Sequence, residues 1–168
     1  MSVSTVNIKK LHHFAYRCRD AEETRAFYED VLGLELAHVI KADTVPSTGE
    51  YCPYVHIFFK MADNSYIAFF DLGDNKATVP DPDTPPWVNH LALEVTDEAQ
   101  LLVLKEKLQT HGVDVTGPVD HGFVKSIYFF DPNGLRSELT CRTKPAEYML
   151  ERQREAHSEL ASWTGRKR

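Results

Sequence analysis

Two histidines and one glutamate pose the chemical question in this chain. His13, His90 and Glu138 each sit in a short run of alternating polar and apolar residues. Two neutral imidazoles and a carboxylate can hold one face of a divalent metal and leave adjacent positions open for substrate, water or O₂. Buried histidines with hydrogen-bond partners would give the same residue pattern, so spacing alone leaves both readings open. The argument for convergence is positional. A histidine, an alanine two residues on and an aspartate seven residues on occur twice, as His13, Ala15, Asp20 and as His90, Ala92, Asp97. Equivalent positions in two similar modules can meet at one centre.

Strand alternation assigns the faces. Phe14, Tyr16 and Cys18 share one side of the first run with His12, and His13, Ala15 and Arg17 share the other. In the matching run Leu91, Leu93 and Val95 are the apolar side, and His90, Ala92 and Glu94 the opposite one. His13 rather than His12 is therefore the equivalent of His90, and Arg17 is placed to pair with Glu94. In the last run Arg136, Glu138 and Thr140 lie together; a carboxylate there is costly unless something positive neutralises it.

The elements that must carry these residues repeat as well. Each aspartate opens a helix, with Glu23 or Gln100 three residues later as in a capping box. Phe27, Tyr28, Val31 and Leu32 give one helix its apolar face, and Leu101, Leu104 and Leu108 the other. Gly33 and Gly112 then release the chain into strands. These are expected at Leu34–Lys41, Tyr54–Lys60, Ser65–Asp71, Val113–Pro118, Val124–Phe130 and Leu135–Cys141. Each half reads β-α-β-β-β, the first over about 8–78 and the second over about 87–143. The proline-rich stretch Val79–Pro86 is a stiff crossover between them. Residues 1–143 read as a single domain. Residues 144–168 change pattern to a helical tail with Met149, Leu150, Ala156, Leu160 and Trp163 roughly on one side. Such a helix packs on its own domain or on a dimer mate, or closes as a lid.

Composition narrows the partners. The 168 residues are 42% hydrophobic and 26% charged, which excludes disorder, and a net charge of −6 disfavours nucleic acid and anionic membranes. The longest apolar run, Tyr66 to Phe70, is far short of the ~20 residues that span a bilayer. The start, MSVSTVNIKK, has no apolar stretch of a secretion signal. Cys18, Cys52 and Cys141 are widely spaced, so reduced thiols and a cytoplasmic setting are expected.

The paired H-x-A-x(4)-D starts, the stretch FYEDVLGLEL at Phe27–Leu36 and the ending DPNGLRSEL at Asp131–Leu139 resemble the vicinal oxygen chelate superfamily. That group includes glyoxalase I, type I extradiol dioxygenases, methylmalonyl-CoA epimerase, fosfomycin-resistance enzymes and bleomycin-binding proteins. The resemblance covers about residues 8 to 143. It implies an α+β fold, two βαβββ modules forming an open, eight-stranded barrel-like sheet around a metal, with His13, His90 and Glu138 as ligands. Repeating the spacing of the second module's turn from Asp63 puts Ala68 where glyoxalase I has a fourth, glutamate ligand. A complete triad also separates the chain from the bleomycin-type binders.

Residues 119–138 are similar to the signature of the extradiol ring-cleaving branch: Val119, Asp120, His121, then Ile127, Tyr128, then Asp131, Pro132, Asn133, Gly134 and finally Glu138. The likeness implies Fe(II), with Mn(II), Zn(II) or Ni(II) as other candidates, a catechol-like aromatic substrate and O₂. It gives His121 and Tyr128 catalytic roles, as hydrogen-bond donors to bound oxygen and to a substrate oxygen. One departure stands out: the branch's further catalytic histidine falls near Ser65 or Tyr66, and His56 lies on the preceding strand. A metal-dependent isomerase, epimerase or lyase with Glu50 as base, or a small-molecule-sequestering protein, is the alternative. Exposed sheet edges and the terminal helix point to a homodimer. Nothing in the sequence names substrate-binding residues.

Overall fold

The computed structural model describes residues 9–166. The order is β1 (His13–Arg17), α1 (Ala21–Arg25), β2 (Glu35–Thr44), β3 (Tyr51–Lys60), β4 (Tyr66–Asp71), β5 (Leu91–Glu94), α2 (Glu98–Thr110), β6 (Thr116–Asp120), β7 (Val124–Phe130), β8 (Arg136–Arg142) and α3 (Ala146–Arg166). Asp20 and Asp97 cap α1 and α2, their side chains accepting from the backbone N–H of Glu23 at 2.7 Å and of Gln100 at 2.9 Å. Gln100 reaches back to the Thr96 N–H at 2.9 Å, but Glu23 turns to the Arg19 guanidinium at 2.5 Å, a stronger, charge-assisted partner.

The first helix departs from the expected regular α-helix. After Arg25 it widens into a π-helical turn over Ala26–Val31, in which the Leu32 N–H donates to the Phe27 carbonyl five residues back, at 3.0 Å. The wider turn buries Phe27, Tyr28 and Val31 together. Gly33, at φ 82°, then turns the chain toward β2 in a conformation most residues avoid. The second strand pair also runs further than expected. The Val45 N–H donates to the Glu50 carbonyl at 2.9 Å, so the loop expected over Ala42–Pro53 is a hairpin tip with Glu50 exposed on it. Pro53 is tolerated within β3 because β4 pairs with β3 only from Val55 onward.

The strands form two four-stranded sheets, ordered β1-β4-β3-β2 and β5-β8-β7-β6, with no closed barrel. The two registers are copies. Ala15 lies opposite Ala68 across the parallel β1–β4 pair, and Ala92 opposite Glu138 across β5–β8. Ala68 therefore holds in the first sheet the place of Glu138 in the second, as the turn spacing predicts.

One apolar core serves both sheets, with Tyr28, Phe59, Phe69, Leu101, Leu108 and Phe129 buried in a single cluster. Tyr28 packs on Phe59 and Phe69, and its hydroxyl donates to Asp131 at 3.1 Å. Beside it Phe27 meets Phe129, and the Asn133 side chain donates to Thr24 at 3.1 Å. The first module's helix is thus clamped by the Asp131–Gly134 turn of the second. Cys18 and Cys141 are in this core, and burial pushes the Cys18 thiol up to about 11, which keeps it unreactive.

The helix α3 meets the domain through its first turn. Tyr148 stacks on Phe123, while Met149, Leu150, Leu160 and Trp163 are exposed. None of the described helices is long and apolar enough to cross a membrane.

Candidate metal centre

The strand faces turned away from the shared core hold the polar residues. His90 lies just before β5, with its Nδ1 3.0 Å from the Val88 carbonyl oxygen. A carbonyl only accepts, so Nδ1 donates to it, and Nε2 is the nitrogen left for a proton or a metal. That nitrogen is 3.0 Å from Oε2 of the buried Glu138. Two lone pairs at this distance repel unless a cation stands between them, either a proton or a metal. A backbone carbonyl behind one histidine nitrogen is also how metal-bound imidazoles are usually held. The donor set fits a divalent metal.

Glu138 is itself held. The Ser126 hydroxyl donates to its Oε1 at 2.5 Å from the neighbouring strand β7, with Thr140 Oγ1 3.0 Å away. This leaves Oε2 as the oxygen facing His90. Ser126→Ala is expected to weaken metal binding by about 10- to 100-fold while the protein still folds, because it removes the group orienting the candidate ligand Glu138. Competition of the metal with a chelator, beside the circular dichroism of the variant, checks this.

Tyr128 lies opposite Glu138 in the β7–β8 register, and its hydroxyl is 2.7 Å from His121 Nε2. The Arg136 guanidinium covers its ring at 4.3 Å. Burial raises the Tyr128 pKa, the Ser126 hydroxyl opposes this and the Glu138 charge adds to it, so the phenol keeps its proton at neutral pH.

His90, Glu138, Tyr128 and His121 are thus neighbours on the second sheet. His13 lies on the first. It is 2.8 Å from His12, Nδ1 to Nδ1, with its ring 6.2 Å from that of His56 and 5.7 Å from Phe58. Among the described residues no three His, Cys, Asp or Glu side chains come together as a metal site, and no contact joins His13 to His90 or Glu138. The expected Arg17–Glu94 pair does not form. Arg17 pairs with Asp74 and Glu94 with Arg142 at 2.6 Å, because each charge finds a partner within its own module first. A cleft of about 1060 Å³ beside the crossover is lined by Phe14, Tyr16 and Arg17 of β1, by the crossover itself and by His90.

Sequence reasoning missed Ser126 and underrated His56. Alternation would have found both, since Ser126 shares its face with Tyr128 and His56 with Phe58. His56 is buried, and burial, followed by the nearby His13 and His38, holds its pKa down to about 4. A histidine depressed from about 6.5 stabilises the fold in its neutral form, and that contribution is lost as pH falls from 6.5 to 4. Melting temperature is therefore expected to drop less over this range in His56→Phe than in the natural protein.

A family model, the Glyoxalase/Bleomycin resistance protein/Dioxygenase superfamily, matches residues 10–139. The chain belongs to this superfamily. No curated protein sequence matches it. Solved structures place the superfamily member's fold among known ones. A glyoxylase/bleomycin resistance protein/dioxygenase domain from Frankia sp. has TM-score 0.65 and 19% identity, over 81% of this chain and 99% of that one. The trypanothione-dependent glyoxalase I of Leishmania major has TM-score 0.61 and 18% identity, over 92% and 99%. The fosfomycin resistance protein of Listeria monocytogenes, solved with Mn(II) and a dihydroxypropylphosphonic acid, has TM-score 0.58 and 19% identity, over 86% and 99%.

Proposed function

We propose that the protein is a metal-dependent, extradiol-type dioxygenase that opens a catechol-like ring, with Fe(II) as its metal. The observation that carries this reading is the meeting of two pairs on one face, His90 against Glu138 and His121 against Tyr128. The Mn(II) bound by the Listeria relative supports a divalent metal. The free thiols suit a reducing, cytoplasmic setting.

His90 and Glu138 would hold the metal from one chain. The third ligand, His13, would come from a second copy. Both polar faces point away from the shared core, His13 is exposed, and β1 and β5 each have an unpaired outer edge. The working unit is therefore a homodimer whose sites each combine the first sheet of one chain with the second sheet of the other.

The metal, when bound, supplies positive charge for two adjacent substrate oxygens and, as Fe(II), electrons for O₂. The reaction places both atoms of O₂ across one ring C–C bond beside the diol. The chain's own work is positional and protonic. Ser126 fixes the carboxylate, and the His121–Tyr128 pair holds one proton between Nε2 and Oη beside Glu138. From there it can be donated to a substrate oxygen or to developing negative charge.

Iron-loaded protein given catechols of increasing size in an oxygen electrode is expected to consume O₂ and form yellow products. His121→Ala should slow this by on the order of 10²-fold, and Tyr128→Phe by less, both with metal content unchanged. Absence of uptake with any catechol, alongside solvent-deuterium exchange into an acyl-CoA or α-hydroxy ketone, would replace this reading with a metal-dependent isomerase.

A further inference from the structure

The two copied sheets differ at one informative pair of positions. In the second, Ser126 lies opposite Thr140, one step along from the Tyr128–Glu138 pair; in the first, His56 lies opposite Phe70, one step along from Phe58–Ala68. His56 thus holds the place of Ser126. Ser126 donates a hydrogen bond to Glu138, but Ala68 stands where that carboxylate would be, and nothing in the described chain bonds His56 Nε2. The residue is only 7% exposed. A buried polar nitrogen without a partner is unfavourable, so a hydrogen-bonding group that reaches His56 Nε2 gains that bond.

The surroundings describe that partner. The His56 ring is stacked on Phe70, centroids 3.6 Å apart at 18°, and lies 4.1 Å from Phe58 and 6.2 Å from the ring of His13. Tyr54 packs on Phe70 and Tyr66 on Phe58. The first sheet presents an aromatic wall in which His56, His13 and His38 are the imidazoles, whereas the second presents the carboxylate and hydroxyl groups as well. We propose that the first sheet, beside His13, selects the substrate. His56 Nε2 bonds a hydroxyl or carbonyl substituent of an aromatic ring, carried on the part of the ring remote from the diol. This rests on the ring-cleavage reading, because His13 ties the wall to the metal.

The test is anaerobic calorimetric titration of iron-loaded protein with 4-methylcatechol and 4-(hydroxymethyl)catechol. The natural protein is expected to prefer the hydroxymethyl compound by about three- to tenfold, the effect of one hydrogen bond. His56→Phe, which keeps a ring to stack on Phe70, should bind both alike, and His56→Gln should recover part of the preference. A preference that survives in His56→Phe, or is missing from the natural protein, overturns the proposal. If neither catechol binds, the ring-cleavage reading falls by itself. The subsite is then decided in metal-free protein, where benzyl alcohol but not toluene must shift the ¹⁵N resonance of His56 Nε2; no shift overturns it.

Discussion

His90→Ala is expected to lower metal affinity by at least about 100-fold, more than loss of a residue that merely orients a ligand. Nε2 of His90 and Oε2 of Glu138 are 3.0 Å apart, so removing either breaks the pair of ligands supplied by one chain. Glu138→Gln should behave similarly, since it keeps the shape but removes the negative charge. His12→Ala is the control. His12 bonds to the back of His13, so its loss should cost no more than about tenfold. Elemental analysis after dialysis against a graded chelator reads all three, and full occupancy in His90→Ala would sink the assignment.

The second large effect is complementation. If each site takes His13 from one chain and His90 with Glu138 from the other, His13→Ala and His90→Ala homodimers both lose activity. Mixed and allowed to exchange, the two variants form heterodimers with one doubly impaired site and one intact site. With random pairing, half of the dimers are mixed, so about a quarter of all sites are restored. Recovery to about 25% of the natural rate is expected, developing at the speed of subunit exchange. A mixture as inactive as its parts would place all the ligands in one chain.

Much of this arrangement was legible in the residues. The repeat of His13-x-Ala15 and His90-x-Ala92 marked matching strands, Asp20 and Asp97 marked their helices, and alternation sorted each strand's faces. The turn spacing located Ala68 as the counterpart of Glu138, and the strand register agrees, with Ala68 opposite Ala15 and Glu138 opposite Ala92. These features are local, set by chain geometry over a few residues. What escaped the reading depends on distant contacts. The π-helical turn follows no spacing rule in Ala26–Val31 and serves the packing of Tyr28 on the Asp131 turn. The Arg17–Glu94 pair was inferred without sight of Asp74 and Arg142. Which sheet face meets which is decided by Phe27 on Phe129 and Thr24 on Asn133, pairs about a hundred residues apart.

The Asp131–Gly134 clamp on the first helix has a thermodynamic consequence. Although the chain reads as a duplication, neither half owns a complete interior, since Tyr28 is wedged between Phe59 and Phe69 on one side and Asp131 on the other. Melting of residues 9–143 therefore proceeds as one cooperative transition, not two. The crossover at 79–86, which has neither strand nor helix, contributes little to that cohesion. A protease cut there would leave the two fragments sedimenting together, held by their common interior: the crossover is a tether rather than a strut.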